Sequence, residues 1–401
     1  MKKQYLYIIA VFAVIMSFLS SCKKDTMPAL IVTGQNNHNW QASSPLLKQI
    51  LELSGKFSCE IATTPAKGGD MSAFNPDFSK YKVVVIDYVG DSWSDKTNKA
   101  FIDYVNNGGG VVIYHASSIA FPGWKEYNEM IGLGFGGRDE KNGPYVYYKN
   151  NRLVTDTTAG KAGTHGGRRE FTVRTRIADH PVMKGLPARW VHGSDELYSK
   201  MRGPAQNMQV LATAFADTIP GGGTMRDEPC LMTITYGKGR IFHTTMGHAD
   251  EDGGPAMKCS GFIVTLQRGA EWAATGEVTQ EIPYDFPTQA GPIIRPDFTE
   301  TTLEQAFDRI ASYEIGKSTV NLTCIQSHIR SAAGNSEELL NIEKMMKKVL
   351  DDPQATADSK RVLLKELSWM GSDYSVPSIK NLASDASLKD EAEYALERLG
   401  K

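Results

Sequence analysis

Four short apolar runs constrain the fold of this chain most strongly: ALIVT at 29–33, FSCEIAT at 57–63, KVVVID at 82–87 and GVVIYH at 110–115. A run with few polar positions on either face is buried on both sides, so these read as parallel strands of a doubly wound α/β sheet. Between the first two, Leu46, Leu47, Ile50 and Leu51 recur at the spacing of a helix core face, with Gly55 just past the end. Between the last two, DKTNKAFIDYVNNGGG is an amphipathic helix with a glycine stop. The fourth run then enters a sharp turn, GGGVVIYHASS, where many folds of this kind place a nucleophilic Cys or Ser. Here the turn carries His115.

Past Phe135 the pattern changes to β-rich segments broken by Gly and Pro: YVYY, EFTVRTR, VLATAFA and CLMTITYGKGRIFHTTM, the last containing a hairpin turn at 236–240. A helix-forming stretch, CSGFIVTLQRGAEWAATG, closes this first unit near Gly276. A Pro-rich linker occupies 277–300. From 301 to 401 apolar residues recur at three and four spacing, as in LLNIEKMMKKVL and SKRVLLKELSWMG. That pattern describes a small all-α unit, either a HEAT-like helical repeat or a plain bundle. The expected organisation is therefore a 28–276 α/β domain with β-rich insertions, a 277–300 linker and a 301–401 helical domain.

The N-terminus reads as an address. Lys2 and Lys3 precede an apolar run ending at Leu19-Ser20-Ser21-Cys22, which has the layout of a secretory signal peptide over residues 1–21. Leu-Ser-Ser-Cys resembles a bacterial lipobox, which implies cleavage before Cys22, a lipid on its sulfur and an exported, lipid-anchored protein in the periplasm or at the cell surface. The other cysteines, Cys59, Cys230, Cys259 and Cys324, form no CxxC, which argues against a zinc ribbon or a thioredoxin-type site and leaves disulfide pairing open. A net charge of only -2 points away from nucleic acid and from electrostatic membrane binding.

Ligands of open parallel sheets gather at the carboxyl ends of the strands. Among the eight histidines, that rule singles out His38 in TGQNNHNW after the first strand, His115 at the end of the fourth, and His248 just after a late strand. His243 lies within that late strand, as a core histidine or a second group facing the crevice. His192, Asp195 and Glu196 share WVHGSDELY, Glu228 lies in the RDE cluster 226–228, and His165 sits in the loop THGGRRE. Three imidazoles delivered to one crevice suit general acid/base work or metal ligation. No HExxH or tight ligand pair is present, so a divalent ion held by His115, His243 and His248 is the weaker reading. G-x-S-x-G is absent around Ser117 and Ser118, and no Cys is near the turn, which disfavours covalent acyl transfer. Carboxylates, amides and the rings of Trp40, Trp93, Trp124 and Tyr198 suit a polyhydroxylated ligand.

Taken in order, TGQNNHNW, GGGVVIYHASS, HPVMKGLP, HGSDELY, RDEP and YGKGRIFHTTMGH resemble the ThuA-like (trehalose utilisation) family over about 28–276. The resemblance implies a flavodoxin-like core similar to class I glutamine amidotransferases but lacking their cysteine, so not an amidotransferase. It also implies a part in sugar catabolism, for some members the processing of 3-keto-glycosides made by a partner oxidoreductase. The expectation is an enzyme acting on an oxidised disaccharide or glycoside, with His115 or His248 as base and Glu196 or Glu228 as acid. Asn37, His38, Trp40, Asp195 and His243 would hold the sugar. A non-catalytic glycan-binding lipoprotein and a metal-dependent hydrolase are the alternatives.

Overall fold

The computed structural model describes residues 26–218 and 221–401. The apolar leader and Cys22 lie outside them. Strands β1 (Met27–Thr33), β2 (Phe57–Thr63), β3 (Val83–Ile86) and β4 (Gly110–Tyr114) alternate with helices α1 (Trp40–Leu53) and α2 (Asp95–Asn106). After β4 come α3 (Lys125–Ile131), the hairpin β5 (Tyr145–Lys149) and β6 (Arg152–Asp156), then β7 (Arg169–Thr175), β8 (Arg189–Asp195) and β9 (Met208–Ala216). The unit closes with β10 (Arg226–Tyr236), β11 (Gly239–Thr244), α4 (Gly254–Lys258) and α5 (Ser260–Thr275).

All these strands join one sheet in the order β2-β1-β3-β4-β11-β10-β9-β7-β8, with β5 and β6 attached at β10. Pairing is parallel from β2 to β11 and antiparallel from β11 to β8. Four antiparallel steps, an even number, leave β8 running the same way as β11 and β4, so its carboxyl end reaches the same edge. The chain leaves β1 to one side for β2 and to the other for β3, which places the topological switch point at the ends of β1 and β3.

Side chains of a strand alternate between faces, and both faces here are covered. Ala29 and Ile31 of β1 pack with Leu47, Ile50 and Phe262, the layer of α1 and α5. Leu30 and Val32 face the other way, toward Phe101 and Met130 of α2 and α3. Ser94 caps α2 by accepting from the Thr97 amide, and Gly276 ends α5 in the left-handed conformation. At about 1.5–3 kcal/mol per fully buried large apolar side chain, these two layers supply the main drive to fold. The fold is a mixed α/β architecture whose parallel half, β2 to β11, is the one expected from the apolar runs.

Beyond it lie α6 (Leu303–Ile310), α7 (Val320–Ser331), α8 (Ser336–Asp351), α9 (Ala357–Met370), α10 (Val376–Leu382) and α11 (Lys389–Arg398). They enclose a core of their own, around Ile310, Ile325, Met346, Leu363 and Leu367. The segment between the two units is docked on the first one: Phe286 and Phe298 enter the α1/α5 core, and Arg295 pairs with buried Asp285 at 2.5 Å. Cys59, Cys230, Cys259 and Cys324 are buried thiols and none is in a disulfide. No helix among the described residues is long and apolar enough to cross a membrane.

Candidate functional site

At the carboxyl edge of the sheet, His38, His115, Glu196 and His248 meet, each offering a ligand atom within 4.8 Å of the others. They arrive from the ends of β1, β4, β8 and β11. Glu196 Oε2 is the common neighbour: it stands 3.4 Å from His248 Nδ1, 3.7 Å from His38 Nε2 and 3.9 Å from His115 Nε2. The rings approach one another edge-on, at interplanar angles of 81°, 73° and 84°.

Local structure fixes each side chain. His115 occupies the strand-to-helix elbow with φ 42, a left-handed conformation costly for any residue with a Cβ. The elbow holds because Ser117, the first serine of HASS, donates to Ile86 O at 2.6 Å and accepts from the Tyr88 amide, while Ser118 donates to His115 O. Both serines are fully buried structural pins, so neither is a nucleophile. A carbonyl only accepts, so the 2.6 Å contact to Thr245 O places the proton of His115 on Nδ1 and turns the Nε2 lone pair toward the cluster. Tyr198 stacks on the same ring, and its hydroxyl lies 3.2 Å from Nε2.

The loop carrying His38 is tied to Asp87, which follows β3 and is 1% exposed. Asp87 accepts from Asn36 Nδ2 at 3.0 Å, Ser43 Oγ at 2.5 Å and Ser44 Oγ at 2.8 Å. Asn36 in turn accepts from the His38 amide. Asp195 plays the same part on the other side: one oxygen accepts from His192 Nε2 and the Gly247 amide, the other from the amides of Glu196 and His248. One buried carboxylate therefore sets both Glu196 and His248.

Electrostatics follow from this geometry. Burial pulls His115 down to about 4, a neutral imidazole at physiological pH. Burial opposes the charge on Glu196, but His248 and His38 outweigh it and hold the carboxyl well below its ordinary range. For His248, burial lowers and the Glu196 carboxylate raises, with the rise prevailing. Burial lifts Asp87 to about 6 in spite of its three hydrogen bonds. In the His192–Asp195 pair, burial works against both charges and the mutual contact prevails, with His192 raised to about 9 and Asp195 lowered.

The cluster opens into a cleft of about 510 Å³, whose lining includes Asn37, His38, Phe135, Tyr198, Glu196 and His248. His165, Asp250 and Glu251 also border it, with Arg168 paired to Asp250 at 2.5 Å. His115 is 1% exposed and stands behind this wall.

Several sequence expectations are corrected. His243 is not in the crevice: alternation along β11 turns it into the α2/α3 layer, where its Nδ1–H donates to Ile131 O at 2.9 Å, and burial lowers it to about 4. Glu228 is buried beneath Tyr145, which donates to it, together with Thr224 Oγ1 and the Lys200 amide. It belongs to the support of the antiparallel wing. Burial pushes it up to about 7. Asp195 has no exposed surface for a sugar, Trp40 opens α1 without lining the cleft, and Trp93 is buried among Phe74, Phe78 and Phe101. Glu196, with its charge held by the imidazoles, is not set to donate a proton as an acid. Asp87 was missed by sequence reasoning, though an acid ending the otherwise apolar KVVVID is a signal that could have found it.

A sheet of this topology with its polar cluster at the switch-point edge defines a flavodoxin-like α/β protein with a ligand site. The trehalose utilisation (ThuA) family matches over residues 28–273, and the chain belongs to it. Among solved structures, a ThuA-like protein of Parabacteroides merdae is 51% identical with a TM-score of 0.67, covering 69% of this chain and 100% of its own. A second ThuA-like protein, from Bacteroides uniformis, is 20% identical with a TM-score of 0.43, covering 65% of this chain and 96% of its own. No curated protein matches the chain. Helices α6 to α11 lie beyond the residues matched by the family.

Proposed function

We propose that the protein is an enzyme of carbohydrate catabolism that processes an oxidised, 3-keto disaccharide or glycoside in the cleft beside Glu196 and His248. The observation that carries this reading is the convergence of three imidazoles and one carboxylate, from four strand ends, on one open cleft. Family membership supports a carbohydrate-related role.

A ketone at C3 acidifies the proton on C2. The Glu196–His248 pair takes that proton, the C2–H electron pair forms the C1–C2 double bond, and the C1–oxygen bond breaks with its electrons leaving on oxygen. The proton returned to that oxygen gives an enone and an alcohol, so atoms and charge balance. Such proton transfer is worth about 10²–10⁴-fold in rate. His115 serves from behind the wall, and Phe135, half-buried at the cleft, offers an aromatic face to the sugar ring.

Assays of His115→Ala and His248→Ala with 3-keto-trehalose and 3-keto-glucosides test the reading. Loss of at least about 10²-fold in kcat/KM is expected; undiminished turnover in both overturns it. Tight calorimetric binding of ordinary disaccharides with no product from keto-sugars would favour a glycan-binding role instead. The substrate would be supplied by an oxidoreductase acting on a sugar hydroxyl. The N-terminal motif supports export and a lipid on Cys22, for which palmitate labelling lost in Cys22→Ser is the expected result. The helical pattern of 301–401 supports a HEAT-like docking unit for a partner.

A further inference from the structure

We infer that His38, His115, His248 and Glu196 form a binding site for one divalent first-row transition ion, zinc being the best fit, with an open coordination position toward the cleft. The distances point to it. Oε2 of Glu196 lies 3.4, 3.7 and 3.9 Å from the three ring nitrogens, and the longer two exceed a hydrogen bond. Zinc bonds to nitrogen and carboxylate oxygen of about 2.0–2.2 Å, set at tetrahedral angles, separate ligand atoms by about 3.4 Å. The four donors are spaced as ligands around a shared centre more closely than as partners of one another.

Three further observations agree. His248 Nδ1, a buried atom that faces Glu196, makes no hydrogen bond. The rings stand nearly perpendicular to one another, which aims separate lone pairs at a common point instead of stacking faces. The outer contacts are those that orient metal ligands: the Nδ1–H of His115 is fixed by Thr245 O, and Asp195 fixes the backbones of both Glu196 and His248. A buried His115 that cannot reach a sugar is also explained, since an ion needs its Nε2 and not its exposure. The Tyr198 hydroxyl, 3.2 Å from that nitrogen, turns about its C–O bond to free the lone pair and directs its proton elsewhere.

Imidazole with one carboxylate suits zinc, iron, nickel and manganese over calcium and magnesium. The consequence for catalysis rests on the proposed function: the ion would polarise a ketone oxygen entering from the cleft. The metal site itself does not depend on that reading.

The test is metal content and affinity of the purified protein, measured by elemental analysis and by calorimetry with zinc and manganese after chelator treatment. One ion per chain is expected, with a rise in Tm on loading. Affinity should fall by at least about 100-fold in His248→Ala and Glu196→Gln, and by about 10–100-fold in Asp195→Asn, which loosens the outer contacts. His165→Ala, a cleft histidine outside the donor set, should keep the ion, and circular dichroism confirms that each variant is folded. Absence of binding by the wild-type protein, or binding unchanged in both His248→Ala and Glu196→Gln, overturns the inference. A protein that binds no ion yet turns over keto-sugar would refute the metal site while sparing the proposed function, and a bound ion without turnover would do the reverse.

Discussion

At the scale of single residues, burial decides which nominated groups can do chemistry. His38, Glu196 and His248 follow strand ends and reach the cleft, whereas His243, five residues before His248, is buried in the α2/α3 layer. Motif order showed which residues stand at the edge, but not which acids are enclosed. Glu228 is the clearest case, and it carries a prediction. Its folded pKa is raised by burial from 4.5 to about 7, so between these values the unfolded chain releases a proton that the folded chain retains. Stability therefore falls as pH rises through that window, by up to about 3 kcal/mol, and is flat above it. Urea titrations on either side of the window should show this slope in the wild type and a smaller one in Glu228→Gln; equal slopes would contradict the assignment.

At the scale of elements, the site depends on how strands end. Leaving β11, the chain passes through Gly247 at φ 105, where a Cβ would lie 2.5 Å from the Phe262 ring. The same residue donates its amide to Asp195 and accepts from the Tyr114 hydroxyl. Gly247→Ala should cost about 1–3 kcal/mol in strain and displace His248 from Glu196, lowering activity at least tenfold. Thermal melts and kcat/KM measured together check this, and an unchanged melt with full activity would be incompatible with it. The apolar runs and glycine stops made β1 to β4, α2 and α5 legible in the sequence. Strand β8 was not recognised, because WVHGSD mixes polar and apolar residues without the alternation of a strand, its His192 and Asp195 being buried as a pair. With β8 unseen, Asp195 read as a sugar ligand when it is the brace beneath Glu196 and His248.

At the scale of the whole molecule, two sets of cores meet at a docked segment. Tyr284 packs against the helical core while Phe286 enters the α/β core two residues later. The helices nonetheless enclose their own apolar interior, so a chain ending at Glu300 should still melt cooperatively and retain the cluster. Circular dichroism of that truncation measures it, and a non-cooperative melt would show that α6 to α11 are part of the first unit's stability.

The sequence by itself determined the parallel half of the sheet, the helical character of 301–401 and the three strand-end histidines, because apolar periodicity and the position of a residue after a strand are local properties of the chain. Tertiary structure alone decided that Glu196 becomes the common neighbour of three rings, that Asp87 and Asp195 are buried braces, and that His243 and Glu228 are withdrawn from the cleft. Each of those outcomes depends on which face of a strand a side chain takes and on the antiparallel wing returning the end of β8 to the edge shared by β4 and β11. These are contacts between residues far apart in the chain, and no local pattern encodes them.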